Sequence, residues 1–211
     1  MFDSVKSSEF IAFLLAVLLG SVYVLPVGAA PMDFSFTGEF VDDEDVQLFD
    51  FSLAAQSDVT LRTWSYAGGV NAAGETILTG GFDPIVALFD STGLLIDENE
   101  DGVGVDTDPA TQRAFDSLLM TTLGAGDYRV ALTQYSNFAV GPFLTDGFQG
   151  SGTFGFQDVT GDFRASTWAL DILNVDAANL LLPKPIPEPG VFALLLLGVC
   201  SLLRSQRQKS G

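Results

Sequence analysis

The sequence predicts an all-β protein: a single antiparallel β-sandwich, jelly-roll-like, flanked by an N-terminal signal helix and a C-terminal transmembrane helix. Three observations carry this expectation. Short apolar runs alternate with polar residues at a period of two, the pattern of strands buried on one face. The chain holds 22 Gly and 18 Phe among 211 residues, and the glycines and Asp-Pro or Asp-Gly pairs break the pattern before a helix of ordinary length can form. The long uncharged stretches lie near the two ends, outside the alternating region.

Residues 1–29 read as a signal peptide. Phe10 to Leu25 is apolar apart from Gly20 and Ser21 and closes on Pro26-Val27-Gly28-Ala29-Ala30, a small-residue site with cleavage expected after Ala29. The segment before it carries Lys6 together with Asp3 and Glu9 and lacks the usual positive excess, so an uncleaved N-terminal anchor stays open. Either way the chain is expected to be exported by the general secretory route and met by signal peptidase.

The ectodomain is expected at 30–182, a comfortable size for one domain with a real core. Its strands are expected at Phe34–Phe40, around Phe49, Phe51 and Leu53, and at Val59, Leu61 and Thr63 opposed by Thr60, Arg62 and Trp64. Others follow at Ile85–Phe89, Leu94–Ile96 and Leu118–Leu123, over 128–133, where Tyr128, Val130 and Leu132 alternate with Arg129, Ala131 and Thr133, and at Ser166–Val175. After Pro109, Asp108 could cap a short helix over Ala110–Phe115, with a loop equally open. Residues 183–190 form a proline-rich linker, 191–203 an apolar segment and 204–211 a basic tail expected to stay cytoplasmic. At 1.5 Å per residue the apolar segment spans about 20 Å, less than the roughly 30 Å hydrocarbon core, so its flanks identify it. Those flanks are Pro187-Glu188-Pro189 before it and Arg204, Arg207 and Lys209 after it.

The chain is acidic, with 27 Asp and Glu against nine Lys and Arg. Nucleic acid is therefore not an expected partner, because phosphate binding needs cationic patches. There is no histidine and one cysteine, Cys200, inside the C-terminal apolar run. Histidine-dependent triads, thiol chemistry in the ectodomain, disulfides and His-ligated zinc or iron are thus excluded. No phosphate-cradling or dinucleotide glycine motif follows a strand. A carboxylate-pair glycoside hydrolase survives as the enzyme alternative, and no enzyme is expected.

One motif carries pointed chemistry. In Asp97-Glu98-Asn99-Glu100-Asp101-Gly102, oxygens at alternate positions precede a turn glycine, as at the start of a Ca²⁺ loop, and the twelfth position is Asp108. Asp97, Asn99, Asp101 and Asp108 are the candidate ligands, with an acidic hairpin turn as the bland alternative. The cluster Asp42-Asp43-Glu44-Asp45 lacks the alternation and reads as a solvated loop. Trp64 and Tyr66 are candidate glycan contacts, since a flat ring on a sandwich face can stack on a sugar, whereas Trp168 reads as buried.

Pro187, Glu188 and Pro189, the apolar run and the cations Arg204 and Arg207, in this order, resemble the PEP-CTERM sorting signal of bacterial exported proteins. The resemblance implies an exosortase-type transpeptidase as partner, acting near the Pro-Glu-Pro. A second resemblance spans residues 45–130. Asp45-Val46-Gln47-Leu48-Phe49-Asp50-Phe51, Phe82-Asp83-Pro84-Ile85-Val86-Ala87-Leu88-Phe89-Asp90 with Gly93, Asn99-Glu100-Asp101-Gly102 and Gly126-Asp127-Tyr128-Arg129-Val130 are similar to the bacterial pre-peptidase C-terminal domain, a small β-sandwich. Ser65-Tyr66-Ala67-Gly68-Gly69 and Trp168-Ala169-Leu170-Asp171-Ile172 resemble an uncharacterised group of PEP-CTERM exoproteins built on this theme. Together the resemblances imply a membrane-anchored precursor that becomes a surface or matrix protein of a Gram-negative bacterium. Its expected role is structural or adhesive in exopolysaccharide or biofilm, with Ca²⁺ as a stabilising ion; the alternative is a carbohydrate-binding module.

Overall fold

Alternating burial sorts the strands into two facing sheets. The computed structural model describes residues 30–150, 152 and 155–182. The expected signal helix, linker, membrane segment and basic tail lie outside the described residues, as do sorting-signal residues Pro187, Glu188, Pro189, Arg204 and Arg207. Among the described residues no helix is long and apolar enough to cross a membrane.

In chain order the strands are β1 (Met32–Glu39), β2 (Gln47–Leu53), β3 (Ser57–Thr63), β4 (Gly69–Val70), β5 (Thr76–Ile77), β6 (Pro84–Asp90), β7 (Leu95–Asn99), β8 (Leu118–Leu123), β9 (Gly126–Gln134), β10 (Thr167–Val175) and β11 (Ala177–Leu181). One sheet has the order β1-β10-β3-β8 and the other β11-β2-β9-β6-β7, while β4 and β5 form a small hairpin. All of these pairings are antiparallel. Within the two large sheets only β6 and β7 are sequential partners among the described strands. The chain otherwise steps from one sheet to the other, so the core is closed by contacts distant in sequence.

The core lies between the sheets. Phe49, Phe51 and Leu53 of β2 and Val130 and Leu132 of β9 meet Val59 and Leu61 of β3 and Trp168, Leu170 and Ile172 of β10. Each such Phe, Leu or Ile contributes about 1.5–3 kcal/mol by leaving water. Phe49 meets the edge of Trp168 with ring centroids 5.7 Å apart, and Phe40 stacks on Phe82 at 5.0 Å. Gly38 stands opposite Trp168 across β1 and β10. A Cβ there would collide with the indole, so the absence of a side chain on β1 makes room for the ring.

β6 departs from simple alternation because both its faces are covered. Val86 and Leu88 enter the inter-sheet core, whereas Ala87 and Phe89 join Ala131 under Leu48, Leu95, Ala139, Leu144 and Phe148. The segment after β9, with its 3₁₀ turn at Leu144–Asp146, thus roofs the outer face of the five-stranded sheet. This is why Ile85 to Phe89 is a continuous apolar run.

The structure bears out the expected strands, with Leu118–Leu123 matched end to end as β8. It adds β4, β5 and β11. No helix follows Pro109. Asp108 accepts from the Ala110 amide at 2.9 Å as a cap would, but Gln112 takes a positive φ of 59°. The Asp108 amide then donates to the Arg113 carbonyl at 2.7 Å, and the chain turns back.

Candidate functional site

The connections at one end of the sandwich bring together several buried charges, Asp83, Asp108 and Asp116 among them. Gly81 bridges to Ala165 in parallel register, and this fixes Arg164 beside the segment that follows β3. A Cβ on Gly81 would overlap the carbonyls of Ser65 and Thr167, so close backbone approach demands glycine there. The Arg164 guanidinium lies 2.7 Å from the Asp108 carboxylate. It also donates to the Tyr66 carbonyl at 2.9 Å and the Gly81 carbonyl at 3.0 Å, and sits 3.8 Å over the Tyr66 ring. Thr79 donates its hydroxyl to Asp108 at 3.0 Å.

Burial alone would push the Asp108 carboxyl up, but the Ala110 amide, the Arg164 guanidinium and the Thr79 hydroxyl outweigh it and hold the pKa below the usual range. The Tyr66 hydroxyl donates to Asp158 at 2.6 Å and lies 3.0 Å from the Thr111 hydroxyl. Burial first, then that bond to Asp158, raises its pKa to about 12. Asp116 accepts from the Thr63 hydroxyl at 2.8 Å and from the amides of Tyr66 and Ala67 at 3.1 and 2.8 Å. Its carboxyl is nevertheless shifted up, because burial exceeds what those donors return.

A different environment surrounds Asp83, which is 3% exposed. Its Oδ1 has no hydrogen-bond partner. Burial, followed by the charges of Asp101, Glu100, Asp158 and Asp116, pushes its pKa up to about 9. Next to it the Pro84, Asn99 and Glu100 carbonyls lie 2.7, 2.9 and 3.0 Å from the Ser117 hydroxyl.

The four candidate Ca²⁺ ligands are not brought together. β7 runs through Asp97 and ends at Asn99, so two of them lie in a strand where a loop was expected. Asp97 accepts from the Glu98 amide at 2.9 Å, and the Asn99 side-chain oxygen accepts from the Leu118 amide at 2.8 Å, tying β7 to β8. Asp101 is on the turn that follows, and burial moves its carboxyl up. Asp108 is committed to Arg164. Among the described residues no group of three or more Asp, Glu, His or Cys is placed to hold a metal. The Asp42–Asp45 turn is closed on itself, with Asp45 accepting from the amides of Val41 and Asp42 at 2.7 and 2.9 Å.

The aromatic candidates are part of the packing. Tyr66 is fully buried and has no ring face to offer a sugar, a correction to the sequence expectation. The reason is that β3 ends at Thr63 and the chain turns inward. Trp64 is half-buried; Arg62 covers its ring at 3.7 Å and its Nε1 donates to Asp171 at 2.7 Å. Trp168 is 4% exposed, as expected. An open groove of about 410 Å³ lies elsewhere, on the outer face of the five-stranded sheet, lined in part by Asp50, Tyr128, Arg129 and Asn179.

Sequence reasoning missed Asp83, Asp116, Gln134 and Arg164. Scarcity was the one available signal for Arg164, since residues 30–182 have few cations to place among their many acids. Asp83 stands in an Asp-Pro turn signal and in the stretch that carries a family resemblance, neither of which marks it as buried.

The fold and its polar end define an antiparallel β-sandwich whose buried charges mostly hold connections in place. It is similar in structure to the pre-peptidase C-terminal domain of a collagenase from Bacillus anthracis, with a TM-score of 0.35 and 6% identity over 70% of this chain and 90% of that chain. No family model matches the chain, and no curated protein does.

Proposed function

We propose that this chain is an exported, non-catalytic surface or matrix protein, sorted through its C-terminal Pro-Glu-Pro signal and acting as a structural or adhesive module in extracellular polysaccharide. The observation that carries the reading is the order of parts in the sequence. Pro187-Glu188-Pro189, a pair of prolines that disfavours helix, stands ahead of the apolar run Val191–Leu203, and Arg204, Arg207 and Lys209 follow it. An exosortase-type transpeptidase is the partner this order implies. A structural role for the domain is supported by the way its polar side chains are used. Arg164, Tyr66, Asp116 and Trp64 are all engaged in holding loops to the sandwich. Calcium is the stabilising ion in this reading, in keeping with an acidic domain that has no disulfide to rely on.

The test is processing in a host that carries the sorting enzyme. Glu188→Ala, and separately truncation before Arg204, should leave full-length precursor in the inner-membrane fraction. Normal maturation of both variants would remove the sorting claim.

A further inference from the structure

The outer face of the five-stranded sheet is divided in two. Across one row Leu181 of β11, Leu48 of β2, Ala131 of β9 and Ala87 of β6 stand opposite one another, and Leu144 and Phe148 of the roof pack over Leu48, Ala131 and Ala87. The next residues along the strands on the same face are polar. Asn179 stands opposite Asp50 and Asp50 opposite Arg129, and only at Phe89 does this row turn apolar and pass under the roof. The row beyond holds Ala177, Ser52 and Asp127. Neighbouring strands lie about 4.8 Å apart, so the uncovered half of the face offers a hydrogen-bonding side chain at successive strand steps. This half lines the groove of about 410 Å³.

The groove is held in shape before any ligand arrives. Arg129 donates through Nε and Nη2 to the two carboxylate oxygens of Asp50 at 2.6 and 2.9 Å, a fork that orients both groups. One wall is fixed by Asp90, whose carboxylate accepts from the Thr92 amide and hydroxyl and from the Leu94 amide. The Leu144 amide ties the roof to that wall by donating to the Gly93 carbonyl at 2.8 Å. Groups already in place lose little freedom on binding. They are also within reach of solvent, since the Arg129 and Asp50 side chains stay 38% and 39% exposed and Asp127 and Asn179 are exposed.

These groups call for a ligand that both donates and accepts. The carboxylates only accept, a guanidinium only donates, and the Asn179 amide does both; a hydroxyl can answer each of them. Charge narrows the class further. Asp50, Asp90 and Asp127 stand against Arg129 alone, which disfavours a polyanion. Asp50 is already balanced by Arg129 and Asp90 is spent on its own turn, so the ligand need bring no positive charge.

We propose that this groove binds a neutral polysaccharide. Hydroxyls of successive sugar rings donate to Asp50 and Asp127, accept from Arg129 and do both with Asn179. This deepens the adhesive reading above, on which it rests, and moves the sugar contact away from Trp64 and Tyr66.

The experiment is retention of the full chain, in a polyoxyethylene detergent that carries no sugar headgroup, on three immobilised probes: neutral oligosaccharides of glucose, galactose and mannose, uronic-acid oligosaccharides, and a lysine-rich peptide. It compares the wild type with Asp50→Ala, Asn179→Ala and, on β3 of the other sheet, Asp58→Ala. The neutral oligosaccharides should hold the wild type and Asp58→Ala equally. Asp50→Ala and Asn179→Ala should each weaken that binding by about tenfold while keeping a cooperative unfolding transition. Neutral-sugar retention that both groove variants keep overturns the groove and leaves the adhesive reading standing. Retention on uronic acids alone overturns the neutral ligand and also leaves adhesion standing. Retention on the peptide alone, or on none of the probes, overturns both.

Discussion

Asp108 and Asp83 are both buried carboxylates at the same end of the sandwich, and the protein treats them in opposite ways. Asp108 is met by Arg164 at 2.7 Å and by donors from Thr79 and Ala110, and its pKa is held low. Asp83 keeps an oxygen without a partner, among acids, and is pushed up to about 9. The difference is one of supply. An acidic domain has few cations to spend, and Arg164, buried against Asp108, is used to tie three connections together. Arg164 joins the segment before β10 to the Asp108 turn, the Tyr66 carbonyl and the Gly81 carbonyl. A single residue thus ties the connections of a segment, residues 30–182, that has no cysteine for a disulfide, whereas Asp83 is left to a proton.

The largest effect expected from breaking this contrast is that of Arg164→Met. It strands Asp108 and removes the ring contact with Tyr66, and it should cost about 3–5 kcal/mol, the usual penalty for removing one partner of a buried pair. Urea unfolding would measure it; a loss below about 1 kcal/mol, the level of an exposed pair, would mean the loops hold without the arginine.

Next comes the pH dependence, measured in chelator. Because Asp83 is raised, the folded chain keeps a proton that the unfolded chain has released. Its contribution to stability is complete below the ordinary carboxylate range and is lost as pH rises toward about 9. Asp108, shifted down, works the other way: its contribution is present above the ordinary range and is lost as pH falls through its folded pKa. The wild type should therefore lose stability between about pH 5 and 9, and Asp83→Asn should flatten that slope. Equal slopes in the two proteins would show that the Asp83 carboxyl is not raised in the folded chain.

The smallest effect sharpens the comparison from outside. Arg129 binds Asp50 through two nitrogens at 2.6 and 2.9 Å, geometry as good as that of Arg164, but side chains 38% and 39% exposed let water screen it. Asp50→Ala should cost less than about 1 kcal/mol and respond to salt. A loss as large as that of Arg164→Met would show that burial is not what separates them.

Much of the fold was legible before any coordinates. The alternation of Phe49, Phe51 and Leu53, and of Val59 and Leu61, appears unchanged as inward faces of β2 and β3, because a strand places alternate side chains on opposite sides whatever its partner. β11 escaped notice: Ala177–Leu181 gains its strand character from pairing with β2, far away in sequence. The helix considered after Pro109 had its cap residue right and its continuation wrong, since the same Asp108 carboxylate that caps Ala110 is also pulled into the Arg164 pair.

The candidate site was less legible, and the reason is the range of the forces involved. Local pattern is short-range: strand periodicity, turn glycines and charge balance are properties of neighbouring residues, and these established the β class, the acidic composition and the lack of histidine or cysteine in residues 30–182. Ligand sets and buried charge pairs are made by residues that meet only after both sheets close. Asp97, Asn99, Asp101 and Asp108 share a spacing yet are dispersed to a strand, a turn and an ion pair. The Pro84, Asn99 and Glu100 carbonyls share no motif, yet the closing of the sheets brings all three to the Ser117 hydroxyl. Which acid is paired and which is left bare follows from where the chain's few cations come to rest, and that is settled by packing.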